Sequence, residues 1–390
     1  MKIVRLLRRF GIAAALLLVL MATACVPLPT DTNWGHVTLA GDPQQILFAF
    51  HDRIVLINPQ DGSVAQLRDA DGNIRYDDQN NPRTWTLPIS PSATTRFYST
   101  PLFTANNMYA VSYDLKLFEV DFANARITNG DAGIAISGHV VTDPVSDGQR
   151  MFLGFSDSDL VALDMTDLTS RLWSFDTERG IWAEPLLVDG TLYVSSMDHK
   201  LYALNAETGA ELWRVDLGGA IADTPVLYNG SLYVGSFARK IFRISLDGQI
   251  TAEYPTTEWV WGTPAIVDDT LYVGDAAGWV YALGLSGDGF TPVWSRQAAT
   301  RVIRATPVIT ADAVIVASRD HKVYWLNRET GEEIRQQNTD AEILSDMLVI
   351  TPEDNANLRE SLLIVSTMAN DKLLFAFSLE SGDLRWRYAR

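Results

Sequence analysis

Short apolar runs alternate with polar turns along most of this chain, and the alternation repeats about every 40 residues. Residues 184–196, 224–236 and 263–275 each contain a proline, an apolar run, a turn with Asp or Asn, and the triplet Leu-Tyr-Val. Runs of this length bounded by such turns predict strands joined by hairpins. The aligned prolines are Pro101, Pro144, Pro185, Pro225, Pro264 and Pro307, spaced 43, 41, 40, 39 and 43 residues apart, with Met347 in the next place.

Each unit predicts four short strands. In the unit that begins at Pro185 they are residues 186–188, 192–195, 201–204 and 211–215, and the last strand carries Trp213. Four-stranded units at this period predict a β-propeller, because one small sheet cannot bury both faces and must stack against its neighbours around an axis. The residues predicted to take the place of Trp213 in other units are Trp173, Trp294, Trp386 and Tyr254.

The predicted fold is an all-β, eight-bladed propeller, or a seven-bladed one if the first unit is degenerate. No segment shows the 3.6-residue periodicity of a helical repeat. Residues 65–83 interrupt the first unit, and we expect them to project from the edge of that blade. The whole of residues 34–390 forms one predicted domain, with blades at about 34–92, 93–134, 135–179, 180–219, 220–257, 258–299, 300–339 and 340–390.

Several units share a turn in which Glu is followed by Ser or Thr and then Gly. It occurs within residues 201–213, 323–333 and 374–386, and these segments resemble the PQQ-like repeat. The resemblance covers nearly all of the predicted domain and implies the propeller fold. It leaves function open, since the repeat occurs in quinoprotein dehydrogenases and in non-catalytic, BamB-type lipoproteins of outer-membrane assembly.

The first 24 residues have the features of a lipoprotein signal peptide. Four cations precede an apolar stretch at residues 10–21, which is too short to span a membrane. Small residues at 22–24 precede Cys25, in an arrangement that resembles a bacterial lipobox except for Ala22, where Leu is usual. The resemblance implies a lipidated Cys25 at the head of a short linker, residues 25–33. Cleavage without lipidation and an uncleaved anchor are the alternatives.

Such a leader and anchor predict a place in the cell envelope outside the cytoplasm. The anchor would lie in the outer membrane if the organism has one, and otherwise on the outer face of the cell membrane. The chain has 48 acidic and 31 basic residues and a net charge of −17. A surface of this charge repels phosphate backbones, so nucleic acid is not an expected partner.

The resemblance also tells what an enzyme of this fold would need. A quinoprotein alcohol dehydrogenase holds its quinone between a tryptophan and a disulfide of adjacent cysteines, with calcium nearby, whereas this chain has one cysteine. We therefore expect no enzymatic activity, no PQQ and no calcium. Asp69, Asp71 and Asn73 form a partial calcium loop that lacks the closing Glu. His199 and His321, each in an Asp-His-Lys triplet, are interpreted as hairpin-turn residues.

Trp182 and Trp261 both lie three residues before the proline of their unit, and Tyr98 and Arg304 share that position. Equivalent positions of a repeat lie at equivalent places around the ring, so these four residues predict a rim of the central channel. Aromatic and arginine side chains are favoured anchors at protein interfaces. A partner-binding rim competes here with packing between blades and with a platform for a quinone.

Together these features predict a membrane-anchored, non-catalytic propeller. It would bind envelope proteins or extended peptides as a BamB-like scaffold, through a rigid disc with loop-rich faces. The alternatives are a PQQ-dependent quinoprotein dehydrogenase and a surface ligand-binding lipoprotein.

Overall fold

The computed structural model describes residues 35–69, 71–88, 96–104, 107–157, 159–369 and 371–389. These residues form eight antiparallel sheets, one for each repeat unit. The predicted eight-bladed, all-β propeller is confirmed. The predicted signal peptide, Cys25 and the linker lie outside the described residues. Within the described ranges, no helix has the length and apolar character needed to cross a membrane.

Neighbouring strands within each sheet follow chain order, and blade 2 has a short extra strand that pairs with its third strand. The strands of blades 1 to 4 are β1 (His36–Ala40), β2 (Gln45–Phe50), β3 (Arg53–Ile57), β4 (Thr86–Pro88); β5 (Leu102–Phe103), β6 (Met108–Ser112), β7 (Lys116–Asp121), β8 (Arg126–Ile127), β9 (Ile134–Ala135); β10 (Val145–Ser146), β11 (Arg150–Gly154), β12 (Asp159–Asp164), β13 (Asp167–Asp176); β14 (Leu186–Val188), β15 (Thr191–Ser195), β16 (Lys200–Asn205) and β17 (Glu211–Asp216).

The remaining blades repeat this arrangement, and one short 3-10 helix, Phe122–Asn124, follows β7. The strands of blades 5 to 8 are β18 (Val226–Tyr228), β19 (Ser231–Ser236), β20 (Lys240–Ser245), β21 (Ile250–Pro255); β22 (Ala265–Val267), β23 (Thr270–Gly274), β24 (Trp279–Gly284), β25 (Thr291–Gln297); β26 (Val308–Ile309), β27 (Ala313–Ser318), β28 (Lys322–Asn327), β29 (Glu333–Asn338); β30 (Leu348–Ile350), β31 (Leu362–Ser366), β32 (Leu374–Ser378) and β33 (Leu384–Tyr388).

The core lies between the blades. Successive side chains of a strand point to opposite faces of the sheet, and in β16 all of the residues from Leu201 to Leu204 are buried. Tyr202 packs with blade 3 residues such as Phe152, whereas Leu201 packs with blade 5 residues such as Phe242. Both faces of a blade are thus covered by its neighbours, which is why apolar runs rather than alternating patterns mark the inner strands.

A tryptophan on the outermost strand joins several blades to the next one. Trp213 Nε1 donates a hydrogen bond to the carbonyl of Leu246 at 2.8 Å, and Trp294 Nε1 donates to that of Arg328 at 2.9 Å. A Cβ built on Gly248 would lie 2.7 Å from the Trp213 ring. The turn glycine therefore provides the space that the tryptophan of the preceding blade fills. We call this arrangement the tryptophan latch.

The prediction that Tyr254 takes the place of Trp213 in blade 5 is wrong. In blade 4 Trp213 pairs with Ala203, and in blade 5 the equivalent pair is Ala252 with Arg243. Here the large residue is on the third strand, and Arg243 Nη1 donates to the carbonyl of Gly287 in the next blade at 2.8 Å. Blade 5 therefore still donates a hydrogen bond to the next blade, although its large residue lies on the third strand and its small residue on the fourth.

The ring is closed by contacts between blade 1 and blade 8. Trp386 on β33 donates from Nε1 to the carbonyl of Pro59 at 2.8 Å, and a Cβ on Gly62 would lie 2.6 Å from its ring. Ser366 Oγ donates to the carbonyl of Gly35 at 2.7 Å. One core cluster contains residues of both blades, among them Phe48 and Trp386. Closure thus uses the same latch as the interior of the ring.

The insertion in blade 1 folds as a small motif of its own. The backbone N–H groups of residues 67, 75 and 83 donate in turn to the carbonyls of residues 83, 67 and 75 at 2.8, 2.9 and 2.8 Å. The Asp69 carboxylate accepts hydrogen bonds from the backbone N–H groups of Asp71 and Asn73 at 3.0 and 2.8 Å. Arg75 Nη1 donates to the Asn124 side chain at 2.7 Å, so the insertion contacts blade 2.

Candidate functional site

The segments that lead into the innermost strands meet at one end of the central channel. They enclose a cavity of about 280 Å³, to which every blade except the second contributes. We call this region the channel mouth. Its lining residues are His36, Val141, Thr142, Asp143, Trp182, Glu184, Ala222, Asp223, Thr224, Thr263, Arg304, Thr306, Leu344, Ser345 and Asp346.

Aspartates of the channel mouth bind threonines of neighbouring blades. Asp143 of blade 3 accepts hydrogen bonds from the N–H and Oγ1 of Thr100 in blade 2, at 2.7 and 2.6 Å. Asp223 accepts one from Thr263 Oγ1 at 2.6 Å. Asp346 accepts one from the N–H of Thr306 at 2.6 Å. The carboxylates therefore hold adjacent blades together at the inner ring.

Glu184 differs from these aspartates. Among the described residues, its carboxyl group makes no hydrogen bond of this kind, and its side chain is exposed to the cavity. The surrounding protein keeps bulk water away from the cavity, and this desolvation of the carboxyl raises the pKa of Glu184 to about 8. The nearby charges of Asp143 and Asp223 raise it further. Burial and the charge of Asp346 likewise raise the pKa of Asp223 to about 7. Two acids of the mouth thus titrate near neutral pH.

Burial disfavours the charged forms of the two basic groups of the mouth, His36 and Arg304. Burial lowers the pKa of His36, although the charge of Asp143 opposes this shift. Burial also lowers the pKa of Arg304, and the charges of Asp223 and Asp346 oppose it. An arginine stays protonated at any pH that a folded protein tolerates, so Arg304 is the one permanent cation among the residues that line the cavity.

The four predicted rim residues are divided between three environments. Trp182 and Arg304 both line the cavity, and Trp182 is 38% exposed. The ring of Trp261 lies 5.0 Å from Arg304 Cζ, in a cation–π contact. Tyr98 lies apart from them, with its ring edge-on to that of Tyr113 at 5.2 Å. Equivalent sequence positions therefore do not all face the cavity.

An aromatic patch extends from the channel mouth to the surface. Phe237 stacks on Trp259 with ring centroids 5.1 Å apart, and its ring is 5.3 Å from that of Trp261. Trp259 is 45% exposed. The patch of Phe237, Trp259 and Trp261 is continuous with Arg304 through the cation–π contact. Together they combine the two side-chain types that most often dominate protein interfaces.

Sequence reasoning missed the acids of the mouth. Asp143, Glu184 and Asp346 each come directly before the proline or methionine that begins a unit. That shared position was a usable signal, since the aligned units also place threonines there. Among the described residues, no three His, Cys, Asp or Glu side chains are arranged to hold a metal ion.

The interpretation of His199 and His321 as turn residues is confirmed. Both have a positive φ, at 79° and 74°, as does Arg239 in the matching turn of blade 5, at 60°. Their N–H groups close the turns by donating to the carbonyls of Ser196 and Ser318 at 3.3 and 3.2 Å. The repeated histidine therefore reflects a repeated hairpin.

Replacing Glu184 with Gln should make stability depend less on pH. The pKa is 4.5 in an ordinary environment and about 8 in the fold, so the contribution of this group to stability is complete below pH 4.5 and is lost as the pH rises through 8. Because the carboxyl is exposed to the cavity, we expect a gain of only about 1 kcal/mol at pH 9 and none at pH 4.5. Urea unfolding at both pH values measures it. The exposed turn variant Glu207→Gln serves as the control, and equal effects of both variants at pH 9 would contradict the prediction.

The fold and the repeat define the class of this protein, a β-propeller built of PQQ-like repeats. The family model of the outer membrane protein assembly factor BamB matches residues 166–288 and 285–390, more than half of the chain. The chain therefore belongs to the BamB family.

Two solved structures show the same fold. The crystal structure of BamB from Moraxella catarrhalis is 17% identical, covers 91% of this chain and 96% of its own, and has a TM-score of 0.64. The computationally designed Ika8 protein is 13% identical, covers 90% of this chain and 97% of its own, and has a TM-score of 0.64. At these identities the likeness concerns the fold alone. Among curated protein sequences, none matches this chain significantly.

Proposed function

We propose that this protein is a lipid-anchored, non-catalytic scaffold of the cell envelope that binds protein partners in outer-membrane protein assembly. The observation that carries the proposal is the aromatic patch at the channel mouth. Trp259 of the patch is 45% exposed, and Trp182 of the cavity lining is 38% exposed. Arg304, which also lines the cavity, lies against the patch at 5.0 Å from Trp261. Exposed aromatic groups beside an arginine are the usual anchors of a protein interface.

Membership of the BamB family supports the choice of partner, because the family is named for outer membrane protein assembly. The predicted lipid on Cys25 would keep the propeller close to its membrane, since a linker of residues 25–33 reaches at most about 30 Å when fully extended. An extended peptide or an unfinished strand could contact the aromatic patch without any rearrangement of the blades.

We extend the proposal to cofactors and suggest that the protein works without PQQ or calcium. PQQ carries several carboxylates, and the channel mouth would place them beside Asp143, Glu184, Asp223 and Asp346 with Arg304 as the one permanent cation. Negative charges brought together in a cavity walled by protein repel each other. The lining residues therefore fit such a quinone poorly. Titration of the purified protein with PQQ, followed by absorbance, tests this point.

The scaffold role predicts that Trp182→Ala combined with Trp259→Ala reduces partner capture at least about tenfold, as expected when two interface anchors are lost. Crosslinking in intact membranes, followed by identification of the captured proteins, is the measurement. We expect proteins of outer-membrane β-barrel assembly among them. Both tryptophans are substantially exposed, so the fold should remain intact.

The matched control is Leu212→Ala with Val293→Ala. These side chains are 55% and 53% exposed but lie on the outermost strands β17 and β25, away from the channel mouth. Equal loss of capture in both double variants would place the interface on the blade edges. Undiminished capture by the Trp182 and Trp259 variant would refute the proposed binding surface.

A further inference from the structure

The cavity at the channel mouth has features that blade packing does not explain. Its volume is about 280 Å³, which approaches the lower limit of ligand pockets in proteins, about 300 Å³. Val141, Trp182 and Leu344 supply apolar walls, and carboxyl groups face the same space from several blades. Polar and charged residues outnumber apolar ones in this lining, so the cavity suits a ligand that is itself charged.

Negative charge exceeds positive charge in this space. The carboxyls of Asp143, Glu184, Asp223 and Asp346 line it, against one permanent cation, Arg304. Three of the four also bind threonines across blade boundaries, whereas Glu184 does not. The Glu184 carboxyl therefore makes no such contact between blades, although its negative charge beside those of Asp143 and Asp223 is unfavourable. A cation in the cavity would relieve that cost.

Two further polar atoms at the cavity lack partners. Ser345 is 5% exposed and lines the cavity, and its Oγ has no hydrogen-bond partner within the described part of the chain. The Nε2 atom of His36, which also lines the cavity, is likewise buried and has no hydrogen-bond partner among the described residues. Because burial lowers the pKa of His36, its imidazole is neutral at pH 7 and one ring nitrogen can accept a hydrogen bond. Buried polar atoms without partners are rare in proteins and call for a ligand or water.

We propose that the channel mouth binds the primary ammonium group of an organic cation. An ammonium group has three N–H donors, and the cavity offers three kinds of acceptor in the Glu184 carboxylate, Ser345 Oγ and His36 Nε2. The exposed face of Trp182 adds a favourable cation–π surface. This site does not depend on the scaffold role proposed above.

A primary ammonium fits better than a metal ion. Among the described residues, no three His, Cys, Asp or Glu side chains are arranged to hold a metal. The apolar walls formed by Val141, Leu344 and Trp182 suit an alkyl chain attached to the ammonium. Such a group is found on free amines and on lysine side chains, and the experiment below distinguishes them.

Isothermal titration of the purified full-length protein with n-butylammonium tests the proposal. We expect one saturable site whose affinity rises at least about tenfold from pH 6 to pH 9, because Glu184 and Asp223 lose protons over this range. At pH 7, titrations in buffers of different ionisation enthalpy should show release of about one proton per cation. The titratable and charged groups that line the cavity with Glu184 are Asp143, Asp223, Asp346, Arg304 and His36, and the charge of Arg319 acts on Arg304.

Glu184→Gln should weaken binding at pH 9 at least about tenfold and abolish most of its pH dependence. Glu207→Gln, in an exposed turn outside the cavity, should change nothing. Weak binding that releases no proton and is unaffected by Glu184→Gln would reveal attraction to the acidic surface only, and would overturn the proposal. Absence of saturable binding at pH 9 would overturn it as well.

A pair of peptides identifies the source of the ammonium. With both termini blocked so that the lysine carries the only ammonium group, the peptide Gly-Gly-Lys-Gly-Gly should bind more tightly than n-butylammonium if the natural ligand is a lysine of a protein partner, and its Nε-acetylated form should not bind. If the natural ligand is a free amine, n-butylammonium binds and the lysine peptide does so more weakly. Binding of the acetylated peptide as tightly as the unmodified one would contradict recognition of an ammonium.

Discussion

Trp386→Ala should lower the free energy of unfolding by about 3–5 kcal/mol, the usual cost of removing a large buried aromatic side chain. Trp386 is 8% exposed and belongs to the core cluster shared by blades 1 and 8. It also donates to the Pro59 carbonyl at 2.8 Å and fills the space above Gly62. Urea unfolding followed by circular dichroism gives the difference in free energy.

The latch in the middle of the chain provides the matched control. Trp213→Ala removes an equivalent contact between blades 4 and 5, and we expect a loss of similar size. The two variants should differ in where amide hydrogen exchange increases. For Trp386→Ala the increase should concentrate in β1 to β3 and β30 to β33, because these blades alone close the ring. Unchanged exchange in those strands would show that closure does not depend on Trp386.

Gly262→Ala should destabilise the protein by about 2 kcal/mol or more, within the range for overpacked positions. A Cβ on Gly262 would lie 2.1 Å from the carbonyl oxygen of Arg304. Both atoms belong to, or are attached directly to, the backbone, so no rotamer change can relieve the contact. Blades 6 and 7 must move apart at the channel mouth, and the contact of Arg304 with Trp261 should weaken with them.

The midpoint of urea unfolding measures this loss. Gly289→Ala is the control, because a Cβ there has nothing within 4 Å and the residue lacks the positive φ that disfavours alanine. We expect it to be neutral or slightly stabilising, since alanine lowers the entropy of the unfolded chain. Equal unfolding midpoints for the two variants would disprove the close approach at Gly262.

The blades could be predicted from sequence because the information is local. In blade 4, a turn at Asp189 and Gly190 and another at Gly209 separate the strands, and the predicted strand limits agree with β14 to β17 to within a residue. The prediction for Tyr254 is wrong because it gave aromatic character more weight than the spacing of residues within the repeat unit. Ala252 holds that place, and no rule based on one strand shows that Arg243 on the neighbouring strand supplies the large side chain.

The candidate site was harder to predict because it depends on the closed ring. Glu184 and Asp223 are 39 residues apart in the chain, and the charge of Asp223 raises the pKa of Glu184 only because their blades are neighbours at the channel. The shared position of Trp182 and Trp261 in the repeat was visible, yet Trp182 faces the cavity whereas Trp261 contacts Phe237. Equivalent backbone positions therefore do not determine the direction of a side chain, which depends on the residues around it.

Ring closure by the chain ends also determines the order in which this protein can fold. The hydrogen bond from Trp386 to Pro59 joins residues 327 positions apart, so the partner of blade 1 is synthesised last. Until then, Ile46 and Phe48, which are fully buried in the closed ring, have no blade 8 to cover them. Contacts between distant residues slow folding, and exposed apolar faces favour aggregation in the interval. A chain that stops before β30 would keep two uncovered blade faces permanently, one on blade 1 and one on blade 7.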